Sequence, residues 1–139
     1  MQYQRSGSKI IVRCDPGEEI LECLRQVCRQ EKVTVASLTG IGAVSKVVVG
    51  FFAPEQKKYQ PKEIAEYMEI TSLVGNVTSF ENDVYLHVHG TFSNQDCQVM
   101  GGHLNEAWVS CTAEVIVDVA EGVVGRQFSE TVGLNLMVL

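Results

Sequence analysis

The chain has no run of basic residues. Its longest basic cluster is the pair Lys57-Lys58, and 11 lysines and arginines stand against 17 aspartates and glutamates, for a net charge of -6. Affinity for nucleic acid comes largely from neutralising phosphates with Lys and Arg, so this balance argues against a direct DNA binder. No segment is long and apolar enough to span a bilayer. The opening stretch, residues 1–9, is polar and lacks the apolar core of a signal peptide, so the expected compartment is the cytoplasm. Cysteine is odd in number: Cys14, Cys23, Cys28, Cys97 and Cys111, with no pair in C-x-x-C spacing. These read as reduced, mostly buried thiols rather than disulfide partners. There is no internal repeat, low-complexity tract or interdomain linker. What remains is 139 residues, 45% hydrophobic and 20% charged. That is the balance of one globular domain over residues 1–139, large enough to bury a core without staples.

Hydrophobic periodicity divides the chain into one helix and many strands. Residues 9–13 predict a first strand. Asp15, Pro16 and Glu18 then form a capping pattern, and Ile20, Leu21, Leu24, Val27 and Cys28 recur at helical spacing. Together they predict an amphipathic helix over residues 16–31. Strands are expected at residues 33–39, 45–53, 72–80, 84–92, 111–119 and around Leu134, Leu136 and Val138, separated by turns at residues 54–58 and 81–83. Residues 63–70 fit a strand or a short helix, with the strand preferred. Strands gathered around one main helix indicate an α+β fold with a large antiparallel-rich sheet.

Histidine occurs only three times, and all three fall within residues 87–103. His87 and His89 form an H-x-H pair in the strand over residues 84–92. Alternation places them on one face with Tyr85 and Thr91, while Val84, Leu86, Val88, Gly90 and Phe92 take the opposite, core-facing side. Residues 93–96 are strong turn formers, so residues 97–102 are expected to return beside the histidine strand. A three-residue loop over residues 94–96 would set His103 opposite His87, where facing Cβ atoms lie about 4.5–5.5 Å apart. A slip of one residue would turn His103 to the wrong face unless a bulge at Gly101-Gly102 restored it, with His103 then leaving the strand. Three neutral imidazoles meeting at one point can hold a divalent metal and leave a coordination position open for water or a small ligand. Glu106 is a candidate to orient an imidazole or to act as a base for water at the metal, its alternative being a surface glutamate near a helix start. Cys97 is a weaker candidate for an extra ligand.

These segments resemble the plant and prokaryote conserved (PPC) domain over nearly the whole chain. Ser37-Leu38-Thr39-Gly40-Ile41-Gly42-Ala43 is similar to its early glycine-marked segment. Gly101-Gly102-His103-Leu104 matches its GGHL signature, followed by Thr112-Ala113-Glu114-Val115, and His87-x-His89 resembles the histidine strand of prokaryotic members. Plant members carry Gly-Arg-Phe-Glu-Ile-Leu at the position of Glu66-Tyr67-Met68-Glu69-Ile70-Thr71. Glu69 and Ile70 are kept and become partner-binding candidates, while Glu66 and Tyr67 replace the Gly-Arg pair. The resemblance implies an antiparallel-rich α+β fold and a homotrimer. The Arg-Gly-Arg-Pro arm that plant members insert into DNA does not occur in this sequence. The fold is also similar to that of acetolactate decarboxylase, a zinc enzyme with H-x-H and a later third histidine. That likeness implies zinc on His87, His89 and His103, and it carries over the metal rather than the reaction.

Three functions follow as expectations. The first is a trimeric zinc-binding protein whose metal activates water or polarises a carbonyl, up to a zinc-dependent lyase or hydrolase acting on a small carbonyl substrate. The second is a DNA-associated, transcription-related module working through protein contacts. The third is a structural trimer with idle histidines, in which Trp108, Phe51, Phe52 and Tyr59 line a subunit contact or fill the core.

Overall fold

The computed structural model describes all 139 residues, Met1–Leu139. Along the chain run β1 (Gln2–Ser6), β2 (Lys9–Cys14), α1 (Ile20–Gln30), β3 (Ala36–Ala53), β4 (Lys58–Ile64), β5 (Met68–Phe80), β6 (Asp83–Ser93), β7 (Val99–Val119), β8 (Gly125–Ser129) and β9 (Leu134–Val138). One helix and a single nine-stranded sheet, antiparallel except for one contact between β5 and β8, make this the expected α+β class.

Two long strands organise the sheet. β3 pairs with β5 through its first half, with β4 through its second, and with β7 along most of its length. β6 bridges β5 and β7, so the pairings β3–β5–β6–β7–β3 close on themselves. Strands of this length bend around such a circuit only where the ladder slips, and β3 carries register shifts around Gly42, Val44 and Val48. The two β runs expected at residues 33–39 and 45–53 are therefore one bent strand. Gly40 and Gly42, between the two expected runs, mark a bulge within it.

The core lies between α1 and the sheet. Ile20, Leu21, Leu24 and Val27 pack from the helix onto Ile10, Val12, Val88, Phe92, Val115 and Val117, in one cluster of 27 buried residues. Each fully buried aliphatic or aromatic side chain stabilises the fold by about 1.5–3 kcal/mol. The strand expected at residues 111–119 is present within β7, and its Ala113, Val115 and Val117 are buried in alternation.

The helix starts later than expected, at Ile20 rather than Pro16, and its cap is Glu19. The preceding residues are claimed by β7: Gly17 N donates to the Val109 carbonyl and Val109 N to the Glu18 carbonyl, both at 2.9 Å. Backbone bonded to a strand cannot also coil into the first helical turn. Glu19 accepts hydrogen bonds from Leu21 N, Glu22 N and, across to β7, Ala107 N. Asp15 and Glu18 instead hold the N-terminal ammonium of Met1 at 2.8 and 2.6 Å.

Three strands, β1, β4 and β8, were not expected from the pattern. β4 contains Pro61, which ordinarily breaks a ladder, but β4 pairs only with β3 and leaves its other edge free. The strand preferred for residues 63–70 is split, its start ending β4 and its end opening β5. β9 matches the predicted alternation, yet Leu134, Leu136 and Val138 are exposed, because β9 pairs only with β8 and stands away from the core. No helix is long and apolar enough to cross a membrane.

Candidate metal centre

The β6–β7 hairpin brings the histidines together. Its ladder pairs His89 with His103, Gly90 with Gly102 and Ser93 with Val99. His103 therefore faces His89 and not His87 as a loop over residues 94–96 would give. The turn lies one residue further on: Asn94 N donates to the Gln98 carbonyl, and Asn94 Oδ1 accepts from Asp96 N and Gln98 N. Cys97 completes it with φ of 59°. Moving the turn by one residue moves the pairing by two, which preserves the face.

Nor does His103 leave the strand. β7 continues without interruption past Glu106, so the helix start considered there is absent. The glycine pair serves close approach instead. A Cβ on Gly102 would lie 2.7 Å from the Gly50 carbonyl oxygen, and one on Gly101 would run into the backbone of Gly90. Bare backbone here lets His103 sit between its two partners, His89 on β6 and Gly50 on β3. Tyr59, on β4, lies across Gly50; its ring meets His103 edge-on at 5.6 Å and its hydroxyl donates to the His103 carbonyl at 3.2 Å.

The three imidazole rings form a near-equilateral triangle, with centroid separations of 5.2, 5.2 and 5.3 Å. One nitrogen from each lies within 4.8 Å of the other two. His87 Nε2 and His89 Nε2 are 3.3 Å apart. Two nitrogens on a tetrahedral zinc, each about 2.0–2.1 Å from the ion, would be separated by about 3.3–3.4 Å, so this pair already has the spacing of ligands. Burial holds His87 down to about 4, reinforced by the charges of His103, Arg126 and His89. Burial also lowers His103 below its ordinary value. Both rings are thus neutral near pH 7, the form in which imidazole binds a metal. The donor set fits a divalent ion.

The cluster opens on a cavity of about 610 Å³ walled by Phe51, Phe52, Tyr59, Leu134, Leu136 and Met137, with Arg126 beside Tyr85. Arg126 is held over the face that His87 shares: its side chain donates to Asn76, which pairs with His87, and to Thr78, which pairs with Tyr85. Sequence patterning found β9 but passed over Arg126 and β8, the strand that carries it. One signal was available, since Arg126 is the only lysine or arginine after Lys62.

Other expected participants lie elsewhere. The Glu106 carboxylate accepts from Trp108 Nε1 at 3.3 Å and sits 3.8 Å from Lys46, turned to these rather than to an imidazole. Cys97 is exposed at the hairpin turn and outside the nitrogen cluster. Cys111 is exposed too, so only Cys14, Cys23 and Cys28 fulfil the expectation of buried thiols, although all five are unbridged. Ile70 is 4% exposed within the core while Glu69 faces out, so the two do not form one partner surface. Phe51, Phe52 and Tyr59 line the cavity rather than fill the core, and Trp108 packs under Lys46.

Known structures share this architecture. A presumed DNA-binding protein from Bacteroides thetaiotaomicron is 33% identical, with a TM-score of 0.96 and coverage of 99% of this chain and 96% of its own. A metal-containing protein from Archaeoglobus fulgidus is 28% identical, with a TM-score of 0.88 and coverage of 100% and 99%. Acetolactate decarboxylase from Bacillus subtilis shares the fold alone, at 11% identity and a TM-score of 0.58, with 88% of this chain overlying 57% of the enzyme. No curated protein matches the chain. The Plants and Prokaryotes Conserved (PCC) domain matches residues 1–121, a span that includes α1, the long strands and all three histidines, and the chain belongs to that family.

Proposed function

We propose that this protein is a small-molecule-binding metalloprotein in which His87, His89 and His103 hold one zinc ion with a coordination position open to the adjacent cavity. One observation carries this reading: three imidazole nitrogens within 4.8 Å of one another at the wall of a cavity of about 610 Å³. Three imidazoles suit zinc among the common divalent ions, and a three-ligand set is the pattern of sites that keep an exchangeable position. When bound, the ion supplies Lewis acidity toward a carbonyl or toward water. The protein's own contribution is positional. Burial keeps His87 and His103 neutral, and Tyr59 ties the backbone at His103.

A lyase or hydrolase acting on a small carbonyl compound is the catalytic form of this reading. Binding is the preferred form, because the cavity lining holds no aspartate or glutamate to move a proton. The test is metal analysis of protein purified without a histidine tag. About one zinc per chain is expected, and the H87A/H89A double variant should lose it while remaining folded, since both rings lie on the side of β6 away from the core. Undiminished zinc in the double variant would remove the reading.

We also infer self-association, with a trimer as the state the family resemblance implies. Ile11, Ile116, Thr39 and Val74 follow one another across paired strands on one sheet face, next to Ile41. Ile11, Ile41, Val74 and Ile116 are all more than two-fifths exposed. An uncovered apolar strip of this kind marks an interaction surface, and it runs on through Val74 to His89. The cytoplasm is the compartment we infer, on the strength of five unbridged cysteines.

A further inference from the structure

We propose that the cavity selects a small, singly charged organic carboxylate with an apolar body, and that Arg126 recognises its charge. The inference deepens the proposed function and rests on its reading of the cavity as the ligand side of the histidine cluster.

The first observation is a contrast among the arginines. Arg5, Arg13, Arg25 and Arg29 each pair with a carboxylate, Glu31, Asp15, Glu22 and Asp83 respectively. Arg126 pairs with none. Its guanidinium is held by neutral acceptors only: Thr78 Oγ1 at 2.7 Å, the Asn135 carbonyl at 2.8 Å and Asn76 Oδ1 at 2.9 Å. It lies 4.5 Å from the centroid of the Tyr85 ring. These contacts fix the group in place without neutralising it. They use three of its five N–H donors and leave two for a ligand.

The second observation is the lining itself. A chain with 17 acidic residues places none of them around this cavity. A half-buried cation with no counter-charge is costly unless an anion arrives, and a divalent ion on the histidines would add to the same unbalanced field. Arg126 is the only Lys or Arg in the lining, so the side chains there can pair with one anionic group rather than the several of a polyphosphate. Its remainder must be apolar, because the facing walls are Phe52, Leu134, Leu136 and Met137. A planar carboxylate suits the planar guanidinium fork.

The third observation locates the selectivity. Arg126 and the leucine and methionine wall all belong to β8 and β9, far along the chain from the histidine strands. The histidines come from β6 and β7, and the charge and shape filter from the β8–β9 hairpin.

The experiment measures binding of benzoate, benzamide and inorganic phosphate to zinc-loaded protein by calorimetry, with zinc content determined on the same samples. Benzoate should bind at least tenfold more tightly than benzamide and more tightly than phosphate. R126Q should lose that preference at least tenfold with zinc content unchanged, and R126K should retain part of it. Equal binding of benzoate and benzamide to the native protein would overturn the proposal whether or not R126Q folds. Tighter binding of phosphate, or an unchanged preference in folded R126Q, would overturn it as well. Arg126-dependent benzoate binding by protein that takes up no zinc would support the anion site while refuting the metal centre, so the two readings fail separately.

Discussion

His87 and His103 are neutral because burial makes an imidazolium expensive there, and for His87 the charge of Arg126 and repulsion from the other two imidazoles add to the cost. A folded-state value of about 4 against an ordinary 6.5 means that the unfolded chain binds the His87 proton more readily between those values. The stability this ring contributes is present above pH 6.5 and is lost as pH falls toward 4. Thermal unfolding of chelator-treated protein should therefore show a decline on the order of 1–2 kcal/mol across that window, after allowance for solvent screening of a partly exposed ring. The same titration of H87Q should be flatter; an equally steep decline would show that the effect lies elsewhere. That His87 and His89 share a face followed from strand alternation. The neutrality of His87 and His103 did not, since it depends on what packs over them, and β8 and β9 lie far along the chain.

At the scale of the element, α1 shows how periodicity and tertiary pairing divide the work. The spacing of Ile20, Leu21, Leu24, Val27 and Cys28 predicted the buried face of the helix, and all five are buried. Its start was decided by β7, whose Val109 occupies the backbone of Gly17 and Glu18. Glu19 then caps the helix and also ties it to Ala107. Glu19→Ala removes three hydrogen bonds to backbone N–H groups and should cost about 1–2 kcal/mol in urea denaturation, with zinc content unchanged. A cost below about 0.5 kcal/mol would mean that water replaces the carboxylate without loss. The histidine hairpin taught a parallel lesson. Ser93, Asn94 and Asp96 announced a turn, but its centre depended on which Asn94 bonds closed, and that set His103 against His89.

For the whole molecule, the exposed strip of Ile11, Ile41, Val74 and Ile116 and the net charge of -6 lead to two expectations. Light scattering on the native protein should give a mass near three times 15.3 kDa, and I116K, which sets a charge in the middle of the strip, should fall toward 15.3 kDa. A native monomer would leave the strip without the proposed partner. The acidic balance also predicts no tight gel shift of duplex DNA at physiological salt, because few phosphates can be neutralised. A tight shift that weakens steeply with added salt would reverse that expectation and favour the DNA-associated reading.

The amino-acid sequence alone determined the fold class, the helix body, the polar face of the histidine strand and the return of its partner, because each depends on local periodicity or turn chemistry. Tertiary structure alone decided that β3 and β7 run unbroken, that His103 pairs with His89, and that Arg126 reaches the histidines from a hairpin that begins more than twenty residues further on. Those outcomes turn on which distant strands share hydrogen bonds and on where a charge is left without a counter-charge. Neither quantity is written in the spacing of neighbouring residues.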